Sequence, residues 1–149
     1  YGEERFAVPI AKALVARRQG GSAIRSTGEL AQVVAGAVKT REPGQNPATR
    51  TFQALRIAVN RELDVLEPAL RDAVDILAPG GRVCAVSFHS LEDRIVKHTF
   101  RSLANGPEAS VRVLTKKPVI ASESERSRNP RSRSAKLRVV ERISKEYVK

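Results

Sequence analysis

Apolar positions in the first third of the chain recur at helical spacing. Phe6, Ile10 and Leu14 follow one another in steps of four with Ala7 beside them, and Gly20-Gly21 interrupts the pattern, which predicts an amphipathic helix over 3–18. Pro9 sits inside that run. Its ring would clash with the carbonyl of Arg5 at a cost of about 3 kcal/mol, so the helix is expected to kink there or to start near Val8. Ser26 and Glu29 then have capping-box spacing ahead of Leu30, Val33, Val34, Ala37 and Val38 on one face, which predicts a second helix. The polar stretch 40–48, with Pro43, Gly44 and Pro47, reads as a loop. From 49 to 77, Phe52, Leu55, Ile57, Val59, Leu63, Leu66, Leu70, Val74 and Leu77 continue the helical pattern. Pro68 is the expected point of a break or bend, giving one bent helix or two in tandem.

The pattern changes after the breaker Ala-Pro-Gly-Gly at 78–81. Residues 82–88, Arg-Val-Cys-Ala-Val-Ser-Phe, are apolar on both faces and predict a buried, parallel strand. Ser90 and Asp93 stand at S-x-x-D spacing before Leu91, Ile95, Val96, Phe100 and Leu103, so a helix capped by those two residues is expected next. Two β-rich runs, 111–119 and 137–143, flank the polar stretch 121–134 and are expected to pair as an antiparallel hairpin with a long basic connection. No internal repeat is visible.

Composition narrows the class. With 149 residues, 41% of them hydrophobic, the chain suits one globular domain or two small ones. No apolar run approaches the roughly 20 residues of a membrane span, and no secretory signal opens the chain, so a soluble cytoplasmic protein is expected. Cys84 is the single cysteine and only two histidines are present, leaving neither a disulfide nor a ligand set for zinc, and no metal is expected. The net charge of +11 is uneven: residues 79–149 hold 16 Lys/Arg against 7 Asp/Glu, and 112–149 hold 12 against 4. That surplus points to a polyanion, and without an aromatic amphipathic helix for a membrane face, nucleic acid is the expected partner. The chain begins at Tyr1 and contains no Met, which reads as a fragment opening inside a helix.

Candidate chemistry gathers at the carboxyl end of the predicted strand, where α/β sheets bind ligands. Ser87, Phe88, His89, Ser90, Glu92, Asp93 and Arg94 follow one another there. One reading is a hydrolase, with Ser87 or Ser90 as nucleophile, His89 as base and Asp93 as orienter. Against it, alternate strand side chains point to opposite faces and no G-x-S-x-G elbow is present. A second reading is structural, with Ser90 and Asp93 capping the helix and His89 a satisfied turn residue. The third is a substrate edge in which Ser87, His89 and Arg94 touch a nucleotide.

Four motifs carry a resemblance. They are Pro-Ala-Thr-Arg-Thr-Phe-Gln-Ala-Leu-Arg-Ile at 47–57, Leu-Ala-Pro-Gly-Gly-Arg at 77–82, Ser-Phe-His-Ser-Leu-Glu-Asp-Arg-Ile-Val-Lys at 87–97 and Asn-Pro-Arg-Ser-Arg-Ser-Ala-Lys-Leu-Arg at 129–138. With the opening Tyr-Gly-Glu-Glu-Arg-Phe-Ala, they resemble the RsmH/MraW family of methyltransferases, which modify a cytosine N4 in small-subunit ribosomal RNA. The likeness covers essentially the whole chain as the C-terminal half of that family. Two positions depart from it: Asn46 stands where the family has His, and Pro9 where it has a basic residue.

The resemblance implies an α/β fold: the C-terminal part of a class I (Rossmann-like) methyltransferase sheet, about three strands with the last antiparallel, preceded by a helical insertion domain. On that mapping residues 1–60 are the later part of the insertion and 61–149 belong to the methyltransferase domain. It implies S-adenosyl-L-methionine (AdoMet) as cofactor with its binding residues upstream of Tyr1, and no cofactor-binding residue in this chain, since Gly20-Gly21 and Gly80-Gly81 are isolated pairs. Ser87 and His89 are then expected to line a cytosine pocket, with Phe88 in the core. Asn46, Arg50, Gln53, Arg56, Arg94, Arg131, Arg133 and Lys136 are expected to hold the RNA. The alternative is a basic RNA-binding module without catalysis. A three-stranded remnant would also leave a sheet edge open.

Overall fold

The computed structural model describes residues 1–39 and 46–144. They fall into two compact units, Tyr1–Glu62 and Leu63–Lys149.

The first unit is helical. Helix α1 spans Ala7–Gln19, so Pro9 lies in its first turn, where the missing amide hydrogen costs no intrahelical bond. α2, Thr27–Ala37, is capped by Ser26, whose hydroxyl accepts from the Glu29 amide at 3.1 Å. The Glu29 carboxylate reaches back to the amide of Arg25 at 3.0 Å, one residue earlier than a capping box requires. Of the loop expected over 40–48, residues 40–45 lie outside the described residues, and Asn46 to Ala48 form a turn into α3, Thr49–Asn60. Ile10, Val34 and Ala48 are buried, with Phe6, Leu14, Leu30 and Phe52 packed around them.

The break in the long helical pattern falls at Arg61, not Pro68. Arg61 takes a left-handed conformation (φ 53°, ψ 36°) that ends α3, and α4, Glu62–Asp75, runs through Pro68. Pro68 is exposed, on the side of the helix where solvent can satisfy the carbonyl that its missing amide leaves open.

The second unit is a small sheet with helices over one face. β1, Arg82–Ser87, is followed by α5, Ser90–Ala104, then β2 at Val111–Val113 and β3 at Val119–Ile120. A short helix α6, Glu123–Arg128, and a 3-10 turn, Pro130–Ser134, lead into β4, Lys136–Arg142. β4 is the hub: β1, β2 and β3 all pair with it, and all three pairings are antiparallel. The two β-rich runs do pair as expected, with the first divided into β2 and β3. The strand expected to be parallel and buried on both faces is neither. Val83, Ala85 and Ser87 face inward, whereas Cys84 is exposed and Val86 is 55% exposed. The inner layer packs Val83, Ala85, Val111, Val113 and Val140 against Leu70 and Val74 of α4 and Val96 and Phe100 of α5.

Charge pairs and turn bonds hold the register. Glu141 of β4 lies opposite both Arg82 and Arg112, and its carboxylate accepts from them at 2.9 and 2.6 Å. Those two guanidinium groups hold the Glu141 carboxyl below its usual range. The Pro-Gly-Gly turn is fastened to β4 by Gly80 N–H to the Arg142 carbonyl and Arg142 N–H to the Gly81 carbonyl, both at 2.8 Å. Gly80 has φ +82°, a backbone state that favours glycine.

Candidate functional site

The carboxyl end of β1 is built by strand alternation. Ser87 is the last inward position, 4% exposed, and its hydroxyl donates to the carbonyl of Lys136, its register partner, at 3.4 Å. Phe88, expected in the core, is 55% exposed. It shares the outward parity of Cys84 and Val86, so the face that takes it is the one without a helical layer among the described residues.

The cap of α5 differs from the S-x-x-D expectation. His89, in extended conformation, is the N-cap: its Nδ1 accepts from the Glu92 amide at 3.3 Å, while Glu92 Oε2 accepts from the amides of His89 at 3.3 Å and Phe88 at 2.9 Å. Acceptance at Nδ1 places the proton of a neutral ring on Nε2. That atom is buried and lies 3.2 Å from Glu92 Oε1 without the alignment of a hydrogen bond. The N-cap is therefore His89 and Ser90 is the first helical residue, and Asp93 is released for another task.

Asp93 turns inward, at i−3 and i−7 from Val96 and Phe100 on the buried face of α5. A carboxylate there needs a cation. Arg138 of β4, 7% exposed, supplies it through a two-pronged pair: Nε to Oδ1 at 2.7 Å and Nη2 to Oδ2 at 3.2 Å. Lys136 Nζ stands 3.5 Å from Oδ2. The Arg138 hydrogen bond, outweighing burial, holds the Asp93 carboxyl below its usual value. Arg138 was not among the residues expected from sequence to matter at this edge. The readable sign was Asp93 itself, an acid on the apolar stripe of a helix, with one arginine inside the apolar strand Leu-Arg-Val-Val.

Ser87, His89, Asp93, Lys136 and Arg138 thus meet at one end of the sheet. The remaining candidates are distributed. Arg94 is exposed on α5, and Arg131 and Arg133 are exposed on the 3-10 turn, whose N-cap Asn129 accepts from the Arg131 amide at 3.2 Å. Asn46, Arg50, Gln53 and Arg56 belong to the first unit. Asn46 Oδ1 accepts from the Ala48 amide at 2.9 Å, a turn that launches α3. Arg56 is exposed and paired with Glu62 at 2.8 Å.

A sequence model of the MraW methylase family matches residues 1–143. The chain belongs to this family. Ribosomal RNA small subunit methyltransferase H of Variovorax paradoxus is 56% identical over 153 residues, covering 95% of this chain and 49% of that protein. The proteins of the same name from Albidiferax ferrireducens and Thiobacillus denitrificans are 56% and 52% identical, each across 97% of this chain and 50% of its own length. The chain therefore spans about half the length of these curated MraW relatives.

The glycine pairs do not fit a nucleoside cofactor. Gly20-Gly21 ends α1, and Gly80-Gly81 turns from α4 into β1, whereas a nucleoside-binding glycine loop leads from a strand into a helix. Among the described residues, no helix is long and apolar enough to cross a membrane.

Proposed function

We propose that this chain supplies the target side of a cytoplasmic methyltransferase that uses AdoMet to methylate a cytosine N4 in small-subunit ribosomal RNA. The observation that carries the reading is the MraW family match along 1–143, at 52–56% identity to relatives named for small-subunit ribosomal RNA. In this reading the cofactor's residues belong to the half of the relatives that this chain does not span, and no residue here binds it.

The part left to this chain is positioning. An exocyclic amine conjugated into its ring is a weak nucleophile, so holding it at about 3–3.5 Å from the acceptor position is the main lever. Ser87 and His89 form the wall of the cytosine pocket at the end of β1. Asp93 and Arg138 keep that strand end rigid. Asn46, Arg50, Gln53, Arg56, Arg94, Arg131, Arg133 and Lys136 hold the surrounding RNA. The local surplus of positive charge, 16 basic against 7 acidic residues over 79–149, suits a phosphate backbone.

Labelled AdoMet and small subunits lacking the methyl mark test this. The chain alone should neither retain AdoMet nor transfer methyl groups. Mixed with the amino-terminal half of the Variovorax relative, it should produce N4-methylcytosine, read by nucleoside mass spectrometry. Tight AdoMet binding by the chain alone overturns the division of labour. RNA binding without transfer in the mixture favours a non-catalytic RNA-binding module.

A further inference from the structure

A cleft on the second unit has no part in the readings above. It measures about 250 Å³ and lies between α5 and the β2–β3 connection, with Lys97 and Arg101 on one side, Thr115 and Lys116 on the other, and Phe100 and Val113 among its lining. Among the described residues, no carboxylate lines it. Arg138 also borders the cleft, but Asp93 binds it through two hydrogen bonds. Lys97, Arg101 and Lys116 make no ion pair among the described residues.

We propose that this cleft seats a backbone phosphate of the RNA. Three cations converging without a counter-charge repel one another, and an anion between them relieves that repulsion. The apolar lining lowers the local dielectric and strengthens the attraction. Size and lining also decide what part of the RNA enters. The cleft is smaller than a pocket for a drug-sized molecule, and Phe100 is 2% exposed, so no open aromatic face awaits a base. The contact is therefore to phosphate and indifferent to sequence.

The proposal rests on the ribosomal RNA reading, and one titration separates the two. Binding of the full chain to single-stranded fragments of small-subunit ribosomal RNA is measured against salt for the wild type and for Lys97→Gln/Arg101→Gln/Lys116→Gln. One phosphate neutralised on a single strand accounts for about 0.7 of the log–log salt slope, so the triple variant should lose about 0.7. Affinity should fall equally on a scrambled RNA. A control triple, Lys12→Gln/Arg18→Gln/Lys39→Gln, should leave the slope unchanged. Arg101→Gln and Lys116→Gln singly, at exposed side chains, should each remove part of that contribution should the triple variant fail to fold. An unchanged slope, an equal loss in the control, or tighter binding to phosphatidylserine vesicles than to RNA overturns the phosphate seat. A wild-type chain that binds no RNA overturns the ribosomal RNA reading itself, and the seat with it.

Discussion

At the scale of single residues, the second unit depends most on one buried ion pair. Asp93 and Arg138 are nearly inaccessible and joined by two hydrogen bonds, so removing one partner strands the other's charge in a poor solvent. Arg138→Met should lower unfolding free energy by roughly 3 kcal/mol at neutral pH, the lower end for such a pair because Lys136 still offers a cation. The pH dependence has a definite sign. The folded-state pKa of Asp93 is depressed below 3.8, so the pair's stabilisation is present above that value and disappears as pH falls through the lower folded-state value. Urea midpoints for wild type and variant should differ at pH 7, and the difference should start to shrink only below pH 3.8 and vanish below the lower folded-state value. The acid on the helix stripe was visible in the sequence; its partner, 45 residues later, was not, because strand register decides which arginine faces inward.

At the scale of elements, His89 caps a helix at the position where the proposed function also gives it a site role. The capping box it forms with Glu92 satisfies amides that α5 would otherwise leave open. His89→Ala should cost about 1 kcal/mol, while His89→Ser restores a capping oxygen and should recover most of it, as measured by chemical denaturation. In the reconstituted methyltransferase His89→Ser should still lower turnover at least about tenfold, roughly 1.4 kcal/mol in barrier. Equal turnover in the stable serine variant would leave His89 with the cap alone. Element types were legible because helical and strand periodicities are local. The Ser26 cap of α2 was legible as well, but the cap of α5 and the break before α4 were not. Ser90–Asp93 and His89–Glu92 offer overlapping capping patterns, and Arg61 rather than Pro68 bears the break, because the hydrogen bond a proline removes at an exposed site can be replaced by solvent.

At the scale of the whole molecule, the sheet has one covered face and one open face. Cys84 and Val86 on β1, Phe88 just after it and Val119 on β3 remain exposed, and β4 is the only strand that pairs with β1 among the described residues. A strand with a free edge and an apolar outer face invites association with another chain. Val86→Lys, which places a charge on that face without touching the inner layer, should raise the concentration at which light scattering by the isolated chain begins. An unchanged threshold would place the association elsewhere.

The sequence alone determined the helices, the strand–turn–helix at 82–104, the lateness of the positive charge and the family. Each depends on residue type, short-range spacing or motif order. Tertiary structure alone decided that all strand pairings among the described residues run through β4, that Phe88 faces outward, that Arg138 meets Asp93, and that Lys97, Arg101 and Lys116 share a cleft. These depend on register and on the side from which helices cover the sheet, and both are fixed by contacts between residues far apart in the chain.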